Sequence, residues 1–412
     1  MSSNRTRVLV TGVAAAAIGF YAEIGFSGEK DSAKNDPVNA AVVKGVKWLV
    51  AVQGKDGGWG QDGGETSYVR QGERLESNGN DVANTAVAAE VLLHSGNSMT
   101  RGEFREALQR AVDFILKQVE QSPVEGLAVT KQQGTQIQRK LGPFIDTFLT
   151  SKLLAELDGT MADAKANARV RQDLQKCVAK IEKAQLKDGS WNISGGWAPI
   201  LGTSMASQSL AIAQSKGAAM TGVAMARVEE YTMRSAAPPP PVAPALADMP
   251  PGSAGVAGAG GAAGSAAARR IMVGGSVSLS AGSAGVPLYK KAQELEQLSR
   301  TEKDRKTNAK QIQEITGQLS DAEFVTGFGS IGGEEFFSYL NISESLRRTG
   351  GAEWKKWNGD MTAKLLKLQN EDGTWAGHHC ITGRVAVTGA AILLLTADRE
   401  AVPAAQTSLT KR

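Results

Sequence analysis

The chain has 412 residues, 42% hydrophobic and 21% charged, a balance that excludes global disorder and a polytopic membrane protein. This length allows one large domain or two. The formal net charge is only +4 and basic residues alternate with acidic ones, so the basic stripe that nucleic-acid binding needs is missing and no nucleic-acid partner is expected.

In chain order, Arg5 and Arg7 precede the apolar run Val8 to Ala22, which is followed by the polar stretch Ser27 to Asp36. This order predicts a signal peptide or N-terminal anchor over residues 1–26, and an exported protein: periplasmic, secreted or tethered to a membrane by that segment. The run is shorter than the roughly 20 residues of a spanning helix, and no A-x-A site closes it, so cleavage and retention both stay open. An apolar first helix of the fold is the alternative.

One pattern, Q-x-x-D-G-x-W, then occurs three times: Gln53, Asp56, Gly57, Trp59; Gln185, Asp188, Gly189, Trp191; and Gln369, Asp372, Gly373, Trp375. Each copy follows a segment of helical apolar spacing, such as Val42, Val46, Leu49, Val50 or Met361, Leu365, Leu366, Leu368. Asp-Gly supplies a positive-φ turn, the Gln side chain can bond loose backbone at the helix end, and the Trp can cover the turn as an apolar lid. After each turn comes a helix rich in small residues: Asp81 to Leu93, Leu201 to Ala213 and Arg384 to Leu395. Pro143 to Leu157 and Glu334 to Leu346 have the same character. The chain is therefore read as all-α, with inner and outer helices alternating.

The second interval between repeats is longer than the first, 184 residues against 132, and a low-complexity insertion accounts for the difference. Residues 235–287 hold eight of the 13 prolines and ten of the 47 glycines, too little apolar surface to offset ordering, so a disordered Pro/Gly/Ala-rich loop is expected. It would interrupt one domain made of 37–234 and 288–400, with 401–412 as a tail. The charged stretch Tyr289 to Leu319 reads as a solvated outer helix, with a partner-binding coiled coil as the alternative.

The repeat, with Lys44-Gly45 and Trp48-Leu49 before the first copy, resembles the QW repeat of squalene and hopene cyclases and is similar to repeats of the related protein prenyltransferases. The resemblance implies an α/α toroid, or barrel, of inner and outer helices around a central cavity. The cyclases protonate their substrate with the middle carboxylate of D-x-D-D-T-A. Here Asp81, Val82, Ala83, Asn84, Thr85 and Ala86 keep the flanks, but the proton-donating position is Ala83. The candidate catalytic acids are then Asp81 and, at other inner-helix starts, Asp146, Glu334 and Glu335. Each is equally suited to capping a helix or favouring its dipole.

The prenyltransferase relatives imply zinc. Its candidate ligands are His378, His379 and Cys380, with Asp146, Glu334 or Glu335 from other inner helices completing the shell, although adjacent residues point in different directions, and no cofactor is otherwise expected. Trp197, His378, His379 and Arg384 are candidates for binding a ligand at the mouth. The expected function is an exported, catalytically divergent toroid that binds a ligand or a protein partner at its cavity or rim. The alternatives are an enzyme acting on isoprenoid lipid and a carbohydrate-active enzyme with paired carboxylates. An apolar centre holding two acids, or a metal, favours an enzyme; a filled centre favours binding.

Overall fold

A computed structural model describes residues 36–63, 79–193, 199–236, 272–273, 276–277, 286–326 and 332–399. The expected N-terminal signal over 1–26, Trp197, nearly all of the 235–287 insertion and the 401–412 tail lie outside the described residues. The described chain is all-α apart from a two-residue antiparallel ladder, Met272–Val273 with Ser276–Val277. No described helix is long and apolar enough to cross a membrane.

Burial sorts the helices into two kinds. Helices α2 (Val82–His94), α5 (Ile145–Leu157), α13 (Gly333–Thr349) and α15 (Arg384–Leu395) are buried around nearly their whole circumference. Small residues make that possible: a side chain at Gly389 of α15 would collide with Val87 of α2. By contrast α3 (Arg105–Gln121) and α6 (Ala164–Ala184) bury one stripe each, such as Leu108, Ala111, Val112, Ile115 and Val119 on α3. An amphipathic stripe on one helix and burial all round on its neighbour is what a double helical layer requires.

The buried helices pack in a closed circuit with α7 (Pro199–Ser215) and α9 (Val286–Leu298). Helix α2 lies against α5, α5 against α7, α7 against α9, α9 against α13, α13 against α15, and α15 against α2. Outside them, α1 (Pro37–Ala51) covers α15, α3 covers α2, α6 covers α5, and α8 (Val223–Ala236) covers α7 and α9. Helix α14 (Gly351–Leu368) covers α13 and α15. The inner helices are parallel, because bonds join their starts: Ala83 N–H donates to Asp146, Tyr289 O–H to Glu335, and Gly333 N–H to the Ile381 carbonyl just before α15. The circuit therefore has an N-terminal mouth and a C-terminal mouth.

One expectation is corrected. Tyr289 to Leu319 is not a single solvated outer helix. Its first part is α9, an inner helix with Leu288, Tyr289, Ala292, Leu295 and Leu298 buried. Only after the chain breaks near Thr301, which caps the short α10 (Glu302–Thr307), does α11 (Ala309–Gln318) run outside, burying Ile312 and Ile315. The charges misled because they are satisfied within the protein: Arg300 Nε sits 2.8 Å from Glu296 Oε1 one turn earlier, and Gln297 donates to Ser207 on α7 at 3.0 Å.

The three Q-x-x-D-G-x-W turns are nearly superimposable in their bonding. The indole N–H of Trp59, Trp191 and Trp375 donates at 2.8 Å to the carbonyl ten residues earlier, Leu49, Ile181 and Leu365. Each Trp backbone N–H donates to a threonine in the first turn of the next inner helix: Thr85, Thr203 and Thr388. The Gln amide bridges its own turn to the next outer helix, through Ala107 O for Gln53, Ala224 O for Gln185 and Ala41 O for Gln369. Gly57, Gly189 and Gly373 have φ of +91°, +93° and +91°. A β-carbon there would also strike the backbone or base of Arg110, Arg227 or Lys44 on that same outer helix. The third turn thus fastens to α1, and the last repeat is linked to the first outer helix.

Candidate functional site

At the N-terminal mouth the structure brings together two of the four candidate acids. Asp81 is the N-cap of α2 and accepts from Asn84 N–H at 2.8 Å and from the Asn84 side chain at 2.7 Å. Asp146 reaches across from α5 to accept from Ala83 N–H at 3.1 Å and from Gln138 at 2.7 Å. The two carboxylates share the amides of one helix start, which satisfies donors the helix leaves open. Both are 1% exposed. Burial, with Asp146 close by, pushes Asp81 up to about 7, and burial pushes Asp146 up to about 6.

Glu334 and Glu335 lie at the start of α13, apart from that pair in their bonding. Glu335 accepts from Gly332 N–H at 2.9 Å and from Tyr289 O–H at 3.1 Å; burial and the adjacent Glu334 push it up to about 7. Glu334 Oε2 accepts from Ile381 N–H at 3.3 Å, while its Oε1 is buried without a partner. Beside it the loop before α15 presents His379 and Cys380, so that one donor atom from each of Glu334, His379 and Cys380 lies within 4.8 Å of the others. Cys380 has φ +55°, the left-handed region, and burial with the neighbouring Glu334 carboxylate pushes its thiol up to about 12. The loop can come this close because a β-carbon at Gly377 would strike the Ile381 carbonyl.

His378 does not join that group. With Arg384 it lines an open cleft of about 530 Å³ between the third repeat turn and α13, flanked by Phe336, Leu368 and Asp372. Arg384 is held there by Asp372 at 3.0 Å and lies 5.0 Å over the Trp48 ring. The metal candidates of the sequence are thus split: His379 and Cys380 gather with Glu334, and His378 faces the cleft. Trp197 lies outside the described residues.

The centre of the circuit is filled. Val87, Phe148, Met205, Phe337 and Leu393 close around a void of about 20 Å³, room for about one water. Glu90, Lys152 and Gln208 reach into the same space. Lys152 Nζ lies 3.3 Å from Glu90 and 3.0 Å from Glu344, and Gln208 donates to Glu344. Burial pushes Glu90 up to about 7 against the pull of Lys152. Burial opposes the Lys152 charge too, but Glu344 and Glu90 outweigh it and hold the ammonium above its ordinary range.

Above this cluster the C-terminal mouth opens into a cleft of about 730 Å³. His94 pairs there with Glu156 at 3.0 Å. Lys152, Lys216, Arg347, Arg348 and Arg399 line the walls, and Leu93, Ile212, Leu340 and Leu393 form apolar surface. Sequence reasoning missed this cleft and its charges. The available signal was a charge inside an apolar run, Glu90 in α2 and Lys152 in α5; their convergence depends on helix pairing that no local spacing encodes. No family model, no curated protein and no solved structure matches the chain.

Proposed function

We propose that the protein is an α/α toroid of the kind seen in the QW-repeat cyclases and prenyltransferases, catalytically divergent, which binds a ligand or a protein partner at its rim. The observation that carries this reading is the filled centre. A polyprenyl or triterpene chain needs a pocket of several hundred Å³, and the void between Phe148, Phe337 and Leu393 measures about 20 Å³. The bonding of Asp81 and Asp146 agrees with it: both acids serve backbone amides, and neither lines the 530, 20 or 730 Å³ spaces. The closed circuit of helices and the three like turns support the toroid itself. Export rests on the order of residues 5–36, and would place the rim outside the cytoplasm. Turnover assays with squalene and polyprenyl diphosphates test the reading: no product is expected, and product formation that disappears in Asp81→Asn would overturn it.

A second reading, an enzyme acting on isoprenoid lipid with a metal, draws on Glu334, His379 and Cys380. Their donor atoms suit a single divalent ion such as zinc, and the unpartnered Glu334 Oε1 is a ready ligand. Such an ion would supply Lewis acidity and favour the Cys380 thiolate. Titration with Co²⁺ examines this: a thiolate-to-cobalt absorption band that is lost in Cys380→Ser supports it, and a spectrum unchanged from free cobalt removes it.

A further inference from the structure

The C-terminal mouth has more cation than its own acids can neutralise. Six basic groups line the 730 Å³ cleft, His94, Lys152, Lys216, Arg347, Arg348 and Arg399, against three carboxylates, Glu156, Asp158 and Glu344. All three carboxylates are engaged. Glu156 holds His94, Glu344 holds Lys152, and Asp158 is bound from outside the cleft by Arg171 at 3.1 Å. Among the described residues Lys216, Arg347, Arg348 and Arg399 have no carboxylate within ion-pair distance. Arg348 is bonded to Ser345 at 3.1 Å through one terminal nitrogen, while its Nε is buried with no acceptor.

Helix carbonyls at this mouth attract some of this charge, since Arg347 and Arg348 sit in the last turn of α13. They do not explain the whole surplus. Lys216 and Arg399 lie beyond the ends of α7 and α15, and a buried guanidinium N–H without an acceptor is costly to leave unmade. A ligand carrying oxyanions would supply the missing counter-charge to Lys216, Arg347, Arg348 and Arg399. Guanidinium groups pair with planar or tetrahedral oxyanions through two parallel N–H bonds, so three arginines around one cleft suit more than one anionic group. The volume is that of a small-molecule site, and Leu93, Ile212, Leu340 and Leu393 offer an apolar floor.

We propose that the C-terminal mouth binds a small organic polyanion, a compound bearing two or more carboxylate or phosphate groups, between Lys216, Arg347, Arg348 and Arg399. This rests on the rim-binding reading and names its ligand class. The site is opposite the mouth where the sequence motifs gather.

Calorimetric titration of the full chain at low salt, with citrate, inorganic pyrophosphate and octanoate as probes, tests the proposal. Citrate or pyrophosphate should bind one to one, and raised salt should weaken binding as screening requires. Whichever binds more tightly separates a carboxylate from a phosphate source. Arg347→Gln combined with Arg399→Gln changes one exposed and one half-buried side chain, and should weaken that binding about tenfold or more. Lys310→Gln, on exposed α11 surface, should leave it unchanged. The proposal fails if neither polyanion binds, if the double variant binds as well as the parent, or if octanoate alone binds. Failure of both polyanions without isoprenoid turnover removes only the ligand class; turnover removes the rim reading, whatever the anions do.

Discussion

At the N-terminal mouth Asp81, Asp146 and Glu335 accept hydrogen bonds from backbone amides, whereas at the C-terminal mouth Lys216, Arg347 and Arg399 face a cleft with no carboxylate to hold them. Helix electrostatics accounts for the first pattern and for the arginines that end α13 in the second: amides at helix starts favour acids, and carbonyls at helix ends favour bases. The difference lies in how much charge is used up. The acids are sealed, 0 or 1% exposed, and repeat turns fasten the same mouth by bonding to the starts of α2, α7 and α15. The bases are left over, and the mouth they line is open. Asp81 and Asp146 are thus buried against backbone amides, and the larger of the two open clefts, about 730 against 530 Å³, lies at the other end.

The largest expected effect breaks the fastening of the N-terminal mouth. Trp59, Trp191 and Trp375 are 0%, 4% and 0% exposed, and each replaced by Ala should lose about 3–5 kcal/mol in chemical denaturation. Near-native midpoints in all three variants would show that the turns do not hold the circuit. At the other end, Lys152→Ala leaves Glu90 and Glu344 facing each other without their cation. About 2–3 kcal/mol should be lost, less than for a fully sealed pair because the cleft admits water. A neutral result there would mean that the cluster is already solvated.

The last effect concerns pH. Asp81 has its folded-state value near 7 against an ordinary 3.8, so the protonated carboxyl favours the folded chain. That contribution is complete below about pH 4 and is lost as pH rises to about 7. Asp146 acts in the same sense up to about 6. Asn caps a helix as well as Asp does, so Asp81→Asn should keep the low-pH stability and flatten its decline between about pH 4 and 7, measured by urea denaturation across that range. An unchanged slope would mean that Asp81 is ionised throughout and that the mouth is not sealed.

The repeat turns were legible because their chemistry is local: Asp-Gly, Gln and Trp fall within seven residues, and the small-residue helices that follow advertise close packing. The threonines that receive the Trp amides were not, since Thr85, Thr203 and Thr388 stand at unequal distances from Trp59, Trp191 and Trp375. Helix α9 was misassigned for a related reason. Glu296 and Gln297 read as solvated until Ser207 of α7 is placed beside them. Of the candidate site, the acids were found at the right helix starts, and Glu334 joins His379 and Cys380. The C-terminal cleft was not legible because it is assembled from the ends of five segments whose pairing no local spacing encodes, and the charges inside apolar runs, Glu90 and Lys152, were its only trace.

The filled centre is the claim on which the functional account turns. Native mass spectrometry of the purified chain after exposure to a mixed polyprenyl and triterpene lipid extract measures it most directly. The account predicts the mass of the polypeptide alone; stoichiometric retention of a polyprenyl or triterpene species would contradict it.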